Sequence, residues 1–217
     1  MPSLEDHREP TLSENLFKLV VVGDYGVGKS CLVSRFCDNF FRDAHATTIG
    51  IDYKVRAVQL PQFRLRVKLE LFDTAGLDKF RPIASAYYQN ASGVLIVYDV
   101  TNPDSFASVE RYLRELRFYI PPDAEILVVG NKTDLTDERK VSYSEAEKLS
   151  AKHGVSLFET SAATGEFVED AFLEIAQKIQ EKIQVGTFDG HALLVTDSAE
   201  RAPNMWSHSR NRQLASL

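Results

Sequence analysis

Two cysteines, Cys31 and Cys37, are all that this chain of 217 residues contains. Their spacing fits neither a metal clamp nor a redox pair, and two thiols cannot build a disulfide framework, so a reducing cytoplasmic setting suits them. Long apolar runs are missing as well. No stretch approaches the ~20 residues that cross a bilayer, and Met1-Pro2-Ser3 opens a polar leader without a signal peptide's apolar segment. Neither secretion nor a membrane span is expected. Pro2 stands where N-myristoylation needs Gly. Basic residues are in the minority, 25 Lys and Arg against 31 Asp and Glu for a formal charge of −6. Nucleic acid is therefore not an expected partner, because phosphate binding needs clustered cations to displace counterions.

What is present is a pattern of short apolar runs alternating with helical periodicity. The run over 16–22 is β-branched and ends at Gly23, as a strand buried on both faces should. A Gly-rich turn follows, then a helical stretch over 29–38, then two strand-like segments over 51–60 and 65–72 joined near Pro61-Gln62 as a hairpin. Apolar runs over 94–100 and 126–129 read as central parallel strands. Asn102-Pro103 signals a helix start, predicting a helix over 104–119. Ser142 with Glu145 makes a capping box for a further helix that stops at Gly154. In the last helix Val168, Ala171, Phe172, Ile175, Ala176, Ile179 and Ile183 form a core-facing stripe. The expected fold is a doubly wound α/β sheet. The domain plan is a flexible leader over 1–15, one globular unit over 16–184 and a flexible tail over 185–217, in which Leu193-Leu194-Val195 is a short apolar cluster.

The chemistry sits in the loops after the strands. Gly23-Asp24-Tyr25-Gly26-Val27-Gly28-Lys29-Ser30 has P-loop spacing between a predicted strand and a predicted helix. Its backbone N–H groups and helix N-terminus can face phosphates, Lys29 can reach the β and γ groups, and Ser30 can hold Mg²⁺. Asp73-Thr74-Ala75-Gly76 supplies a carboxylate for the Mg²⁺ shell and a glycine whose N–H can meet a γ-phosphate. A P-loop alone leaves ATPase, kinase and GTPase open. Asn131-Lys132-Thr133-Asp134 decides for guanine, because Asp134 can accept from both the ring N–H and the exocyclic amine, a pairing adenine lacks. Glu159-Thr160-Ser161-Ala162, after a short late strand, offers backbone donors near the guanine oxygen.

With these four elements in order, the stretch over 16–183 resembles a Ras-superfamily GTPase, and more narrowly the Rab branch. The Rab resemblance rests on Ile49-Gly50-Ile51-Asp52-Tyr53, Lys68-Leu69-Glu70-Leu71-Phe72, Lys79-Phe80-Arg81-Pro82-Ile83, Tyr87-Tyr88-Gln89-Asn90-Ala91 and Ile96-Val97-Tyr98-Asp99-Val100-Thr101. It implies a P-loop NTPase fold: a mostly parallel six-stranded sheet with one antiparallel strand and helices on both faces. It implies a GTP/GDP switch with Mg²⁺, in which Tyr25, Gly26, Val27, Gly28, Lys29, Ser30, Cys31, Phe41, Thr48, Gly76, Asn131, Lys132, Asp134, Ser161, Ala162 and Ala163 hold the nucleotide. Phe41 would pack on guanine, and Ser30, Thr48 and Asp73 would hold the metal. Ile49, Gly50, Ile51, Asp52, Tyr53, Phe72 and Tyr87 would be read by effector proteins. An exchange factor and a GAP, a monomeric state, and a place in vesicle traffic on the cytosolic face of an endomembrane follow from the same resemblance.

Three departures qualify it. Leu77 fills the slot where most relatives carry the Gln that orients the attacking water, and leucine cannot hydrogen-bond a water. Tyr25 is bulky where a small residue is usual. The chain ends Gln213-Leu214-Ala215-Ser216-Leu217, without the cysteines that are usually prenylated, so no lipid anchor is expected. A low intrinsic hydrolysis rate is expected, and a GTP-binding scaffold that hardly hydrolyses is the alternative. His45 and Ala163 are smaller departures.

Overall fold

The apolar runs become the interior of one sheet because each is covered on both sides. The computed structural model describes residues 15–42, 48, 50–76 and 87–186. Among these, six strands run β1 Asn15–Val22, β2 Ile51–Leu60, β3 Leu65–Thr74, β4 Gly93–Asp99, β5 Glu125–Asn131 and β6 Ser156–Thr160. Four helices, α1 Lys29–Asp38, α2 Pro103–Leu116, α3 Tyr143–His153 and α4 Val168–Val185, lie between and after them. The sheet order is β2-β3-β1-β4-β5-β6, with β2 antiparallel to β3 and the other neighbours parallel.

Period-two alternation assigns the faces. Phe17, Leu19 and Val21 of β1 join Leu32, Val33 and Phe36 of α1 and Phe172, Ile175 and Ile179 of α4. Val20 and Val22 join Val109 and Leu113 of α2 and Ala146 of α3 on the opposite face. Every residue of β4 is buried, which is why its sequence is unbroken by polar positions until Asp99. β2, at the edge, is mostly exposed or half-buried, with only Val58 and Leu60 buried. The predicted hairpin is present, with β2 and β3 in register from Ile51 opposite Thr74 to Leu60 opposite Leu65.

The helix signals act as read. Asn102 accepts from the Asp104 and Ser105 amides at 3.0 and 3.4 Å, and Ser142 and Glu145 form the capping box. Helix α2 ends at Leu116, earlier than predicted, because residues beyond it close in turns. Strands β3 and β5 run farther than predicted, so Asp73 and Asn131 are strand residues held by ladder hydrogen bonds. The connection from β3 to β4 crosses over β1, so strand order reverses there, and the carboxyl end of β1 opens into the Gly-rich loop at the usual place for a ligand crevice. His45, Ile49, Leu77 and the Lys79-Phe80-Arg81-Pro82-Ile83 motif lie outside the described residues, as do residues 1–14 of the expected leader and 187–217 of the expected tail.

Candidate nucleotide site

A cleft of about 440 Å³ opens at the carboxyl end of β1, lined among others by Tyr25, Gly26, Gly28, Lys29, Ser30, Cys31, Thr48 and Gly76. Eight of the residues expected to bind nucleotide therefore meet in one wall. Val27 is buried beneath them. The loop conformation depends on Gly28, whose φ of 96° lies in the left-handed region and whose missing Cβ leaves room for the Asn131 side-chain amide. Gly76 is a second close approach: a Cβ there would lie 2.6 Å from the Asp24 carbonyl and from Lys29 Nζ.

Lys29 is buried, and its ammonium donates to the carbonyl oxygens of Gly23 at 2.9 Å and Asp24 at 2.8 Å. Burial pulls its pKa down to about 8, with the Asp73 and Asp24 carboxylates opposing. Asp73, at the end of β3, is also buried, and that burial pushes its carboxyl up to about 6 against the Ser30 hydrogen bond and the Lys29 charge. Ser30 Oγ donates to Asp73 Oδ2 at 2.5 Å and lies 2.9 Å from Thr48 Oγ1. Three hard oxygens thus converge beside the Lys29 ammonium. Asp73 Oδ1 is buried without a hydrogen-bond partner among the described residues. A hard divalent cation fits this donor set, since Mg²⁺ takes a few protein oxygens and fills its remaining positions from water and phosphate.

The residues expected to read the base form a separate network against this loop. Asn131 is buried; its Nδ2 donates to Val27 O at 2.9 Å and its Oδ1 accepts from the Ala162 amide at 3.1 Å. One partner demands a donor and the other an acceptor, so the amide orientation is determined and Asn131 fastens the phosphate loop to the segment after β6. Lys132, at a φ of 71°, pairs with Asp99 at 2.6 Å. Asp134 is exposed, and its Oδ1 accepts from Ser161 Oγ at 2.5 Å. Ala162 is buried and Ala163 half-buried in the same loop. Phe41 does not line the cleft: it is half-buried against the core, with the Arg35 guanidinium 6.0 Å from its ring centroid.

The three aromatic positions come together on the other side of the sheet edge. Tyr53 and Phe72 have ring centroids 5.1 Å apart, and Phe72 and Tyr87 5.4 Å. Asp52 lines the cleft, Gly50 O accepts from the Ala75 amide at 3.0 Å, and Ile51 faces Thr74 in the ladder. Sequence reasoning did not single out Lys18, whose ammonium lies 5.1 Å from the Phe72 centroid and 5.9 Å from that of Tyr87. Glu70, on β3, accepts from the Tyr53 hydroxyl at 2.5 Å. That hydrogen bond leads the causes that push the Tyr53 phenol up to about 12. Also missed were the wall residues Ser34, Asp38 and Lys54, and the tie from Asp24 Oδ1 to Arg111 at 3.1 Å and Tyr112 at 3.2 Å.

Comparison with known proteins agrees with this geometry. The Ras family model matches residues 18–181. Ras-related protein Rab-8A of Gallus gallus is 42% identical over 168 residues, covering 77% of this chain and 80% of the relative. Ras-related protein Rab-8B of Homo sapiens gives the same identity and coverage. GTP-binding protein ypt1 of Schizosaccharomyces pombe is 43% identical over 173 residues, covering 80% of this chain and 84% of its own. The chain belongs to the Ras family of small GTPases, in its Rab branch.

Proposed function

We propose that this protein is a GTP/GDP-controlled switch that acts in membrane traffic, with the GTPase unit spanning 16–184. The observation that carries the reading is the convergence of Lys29 with the Ser30, Thr48 and Asp73 oxygens, where Asp73 Oδ1 is buried without a partner among the described residues. In this reading Lys29 exchanges its loop carbonyls for β- and γ-phosphate oxygens, and the N–H groups of Gly26, Gly28 and Gly76 face the same phosphates. Mg²⁺, when bound, would neutralise charge on the phosphate oxygens, with Ser30, Thr48 and Asp73 as its protein holders. Asp134 reads the guanine ring N–H and amine, with Ser161, Ala162 and Ala163 beside it. Cys31, Tyr25, Phe41 and Lys132 border the nucleotide.

Switching follows from where these groups sit. Thr48 and Gly76 belong to the two segments that a γ-phosphate would order, and they relax when it is lost. Effectors would read Tyr53, Phe72 and Tyr87 with the ordered segments, and an exchange factor and a GAP would set the rates. Traffic is supported by the Rab and ypt1 relatives. Leu77 favours a second reading, a GTP-bound scaffold with slow turnover, since its side chain cannot orient a water; Tyr25, 54% exposed at the rim, obstructs the approach of an outside arginine.

Single-turnover hydrolysis of Mg²⁺-loaded GTP, with GDP release followed in parallel, tests both. Slow turnover that Leu77→Gln raises by roughly tenfold or more supports a switch slowed by its own sequence. Equal rates overturn the slow-turnover reading, and failure to load guanine nucleotide overturns the switch.

A further inference from the structure

Arg35 lies in the last turn of α1, half-buried, far in sequence from every base-reading residue. Its Nε donates to Ala162 O at 2.9 Å and one terminal nitrogen donates to Ala163 O at 2.7 Å. The other terminal nitrogen donates to Asn39 O at 3.2 Å and to Asn39 Oδ1 at 3.1 Å, which fixes the guanidinium plane. A planar fork can hold two successive carbonyls in this way, whereas an ammonium is a point donor.

The consequence runs through the peptide planes. In a trans peptide the C=O and the following N–H point in opposite directions. Holding Ala163 O against Arg35 therefore aims the Thr164 N–H away from it, and that N–H donates to Ser161 Oγ at 3.1 Å. With one lone pair engaged, the Ser161 hydroxyl spends its proton on Asp134 Oδ1 at 2.5 Å. Likewise the Ala162 carbonyl, held by Arg35 Nε, turns the Ala163 N–H toward the opposite face. A continuous chain links Arg35, the 163–164 peptide, the Ser161 hydroxyl and the Asp134 carboxylate.

We infer that Arg35 is a positioning residue for guanine selectivity: it holds the Ala162 and Ala163 carbonyls so that Ser161 anchors Asp134 in its base-reading orientation. This rests on the nucleotide-switch reading above. Inosine diphosphate is the informative probe, because it keeps the ring N–H and oxygen of guanine but lacks the amine that a correctly turned carboxylate would accept. A residue that merely supports the fold affects both nucleotides alike; one that aims Asp134 affects GDP more.

The test is the dissociation of fluorescent GDP and IDP from the Mg²⁺-loaded full chain, with ADP as a control. The wild type is expected to hold GDP about tenfold or more longer than IDP, the worth of one hydrogen bond to a charged acceptor. Arg35→Met is expected to speed GDP release more than IDP release and narrow that ratio to about threefold or less. Arg35→Lys, which keeps the charge and loses the fork, is expected to follow it. If Arg35→Met does not fold, the ratio for Arg35→Lys decides alone. Acceleration of both nucleotides by the same factor overturns the inference while leaving the switch reading intact. A wild type that does not prefer GDP to ADP overturns the reading and the inference together.

Discussion

Lys29 and Asp73 beside the cleft, the phosphate end of the proposed site, and Asn131 and Ser161 in the adjoining network, its proposed base end, are all polar side chains taken out of water, yet they are satisfied differently. At the base end the side chains of Asn131 and Ser161 are both paired: Asn131 bridges Val27 and Ala162, and Ser161 joins Thr164 to Asp134. At the phosphate end burial displaces both titrating groups from their ordinary ranges, and among the described residues Asp73 Oδ1 has no hydrogen-bond partner. The base end is prebuilt and costs little to organise on binding. In the proposed reading, a bound nucleotide and its cation would relieve the burial of charge at the phosphate end, as a switch sensitive to one phosphate requires.

The sharpest break of this contrast is Asn131→Ala. It strands the Val27 carbonyl and the Ala162 amide in the interior, so the fold should lose about 2–5 kcal/mol in denaturant melts, and nucleotide should be lost with it. Unchanged stability would mean the base end is not self-supporting. Gly28→Ala comes next, because the backbone there has a φ of 96° and the added methyl meets the Asn131 amide; a loss of about 2 kcal/mol or more is expected in the same melts.

Lys29→Met should act on the ligand, lowering nucleotide affinity about 100-fold in a titration. The nucleotide-free protein offers a finer check. Lys29 has a folded pKa of about 8 against its model-compound value of 10.5, so the unfolded chain binds that proton more tightly. The cost of burying the charge is present below about 8 and relieved as pH rises from there toward 10.5, so stability should gain over that window, and Lys29→Met should abolish the gain. The smallest effect belongs to Tyr53→Phe. The Tyr53–Glu70 hydrogen bond sits on an exposed edge, and its loss should cost less than about 1 kcal/mol while effector binding falls. Because the folded phenol is raised to about 12, its contribution is intact below 10 and lost as pH rises through 12, which ultraviolet titration of the phenol would follow.

Much of the site was legible because its parts are local. The Gly-rich loop, Asp73–Gly76 and Asn131–Asp134 each sit at a strand end, where a few consecutive residues carry both the turn chemistry and the ligand chemistry. The capping box at Ser142 and the Asn102 cap were legible for the same reason. Boundaries were less so: β3 and β5 run on through Asp73 and Asn131 because neighbouring strands supply ladder partners that no local window contains.

The role of Asn131 as a clamp between two loops, and the Lys18 ammonium over two rings, were not legible at all. By itself the sequence determined the strand-and-helix alternation, the phosphate loop and the guanine motif, since periodicity, caps and turn residues act over a few positions. Only the tertiary structure decided that Arg35 meets the carbonyls of residues 127 and 128 positions away. Such meetings are set by how α1 and the strands pack around a common core, and packing geometry is a property of the whole chain rather than of any segment.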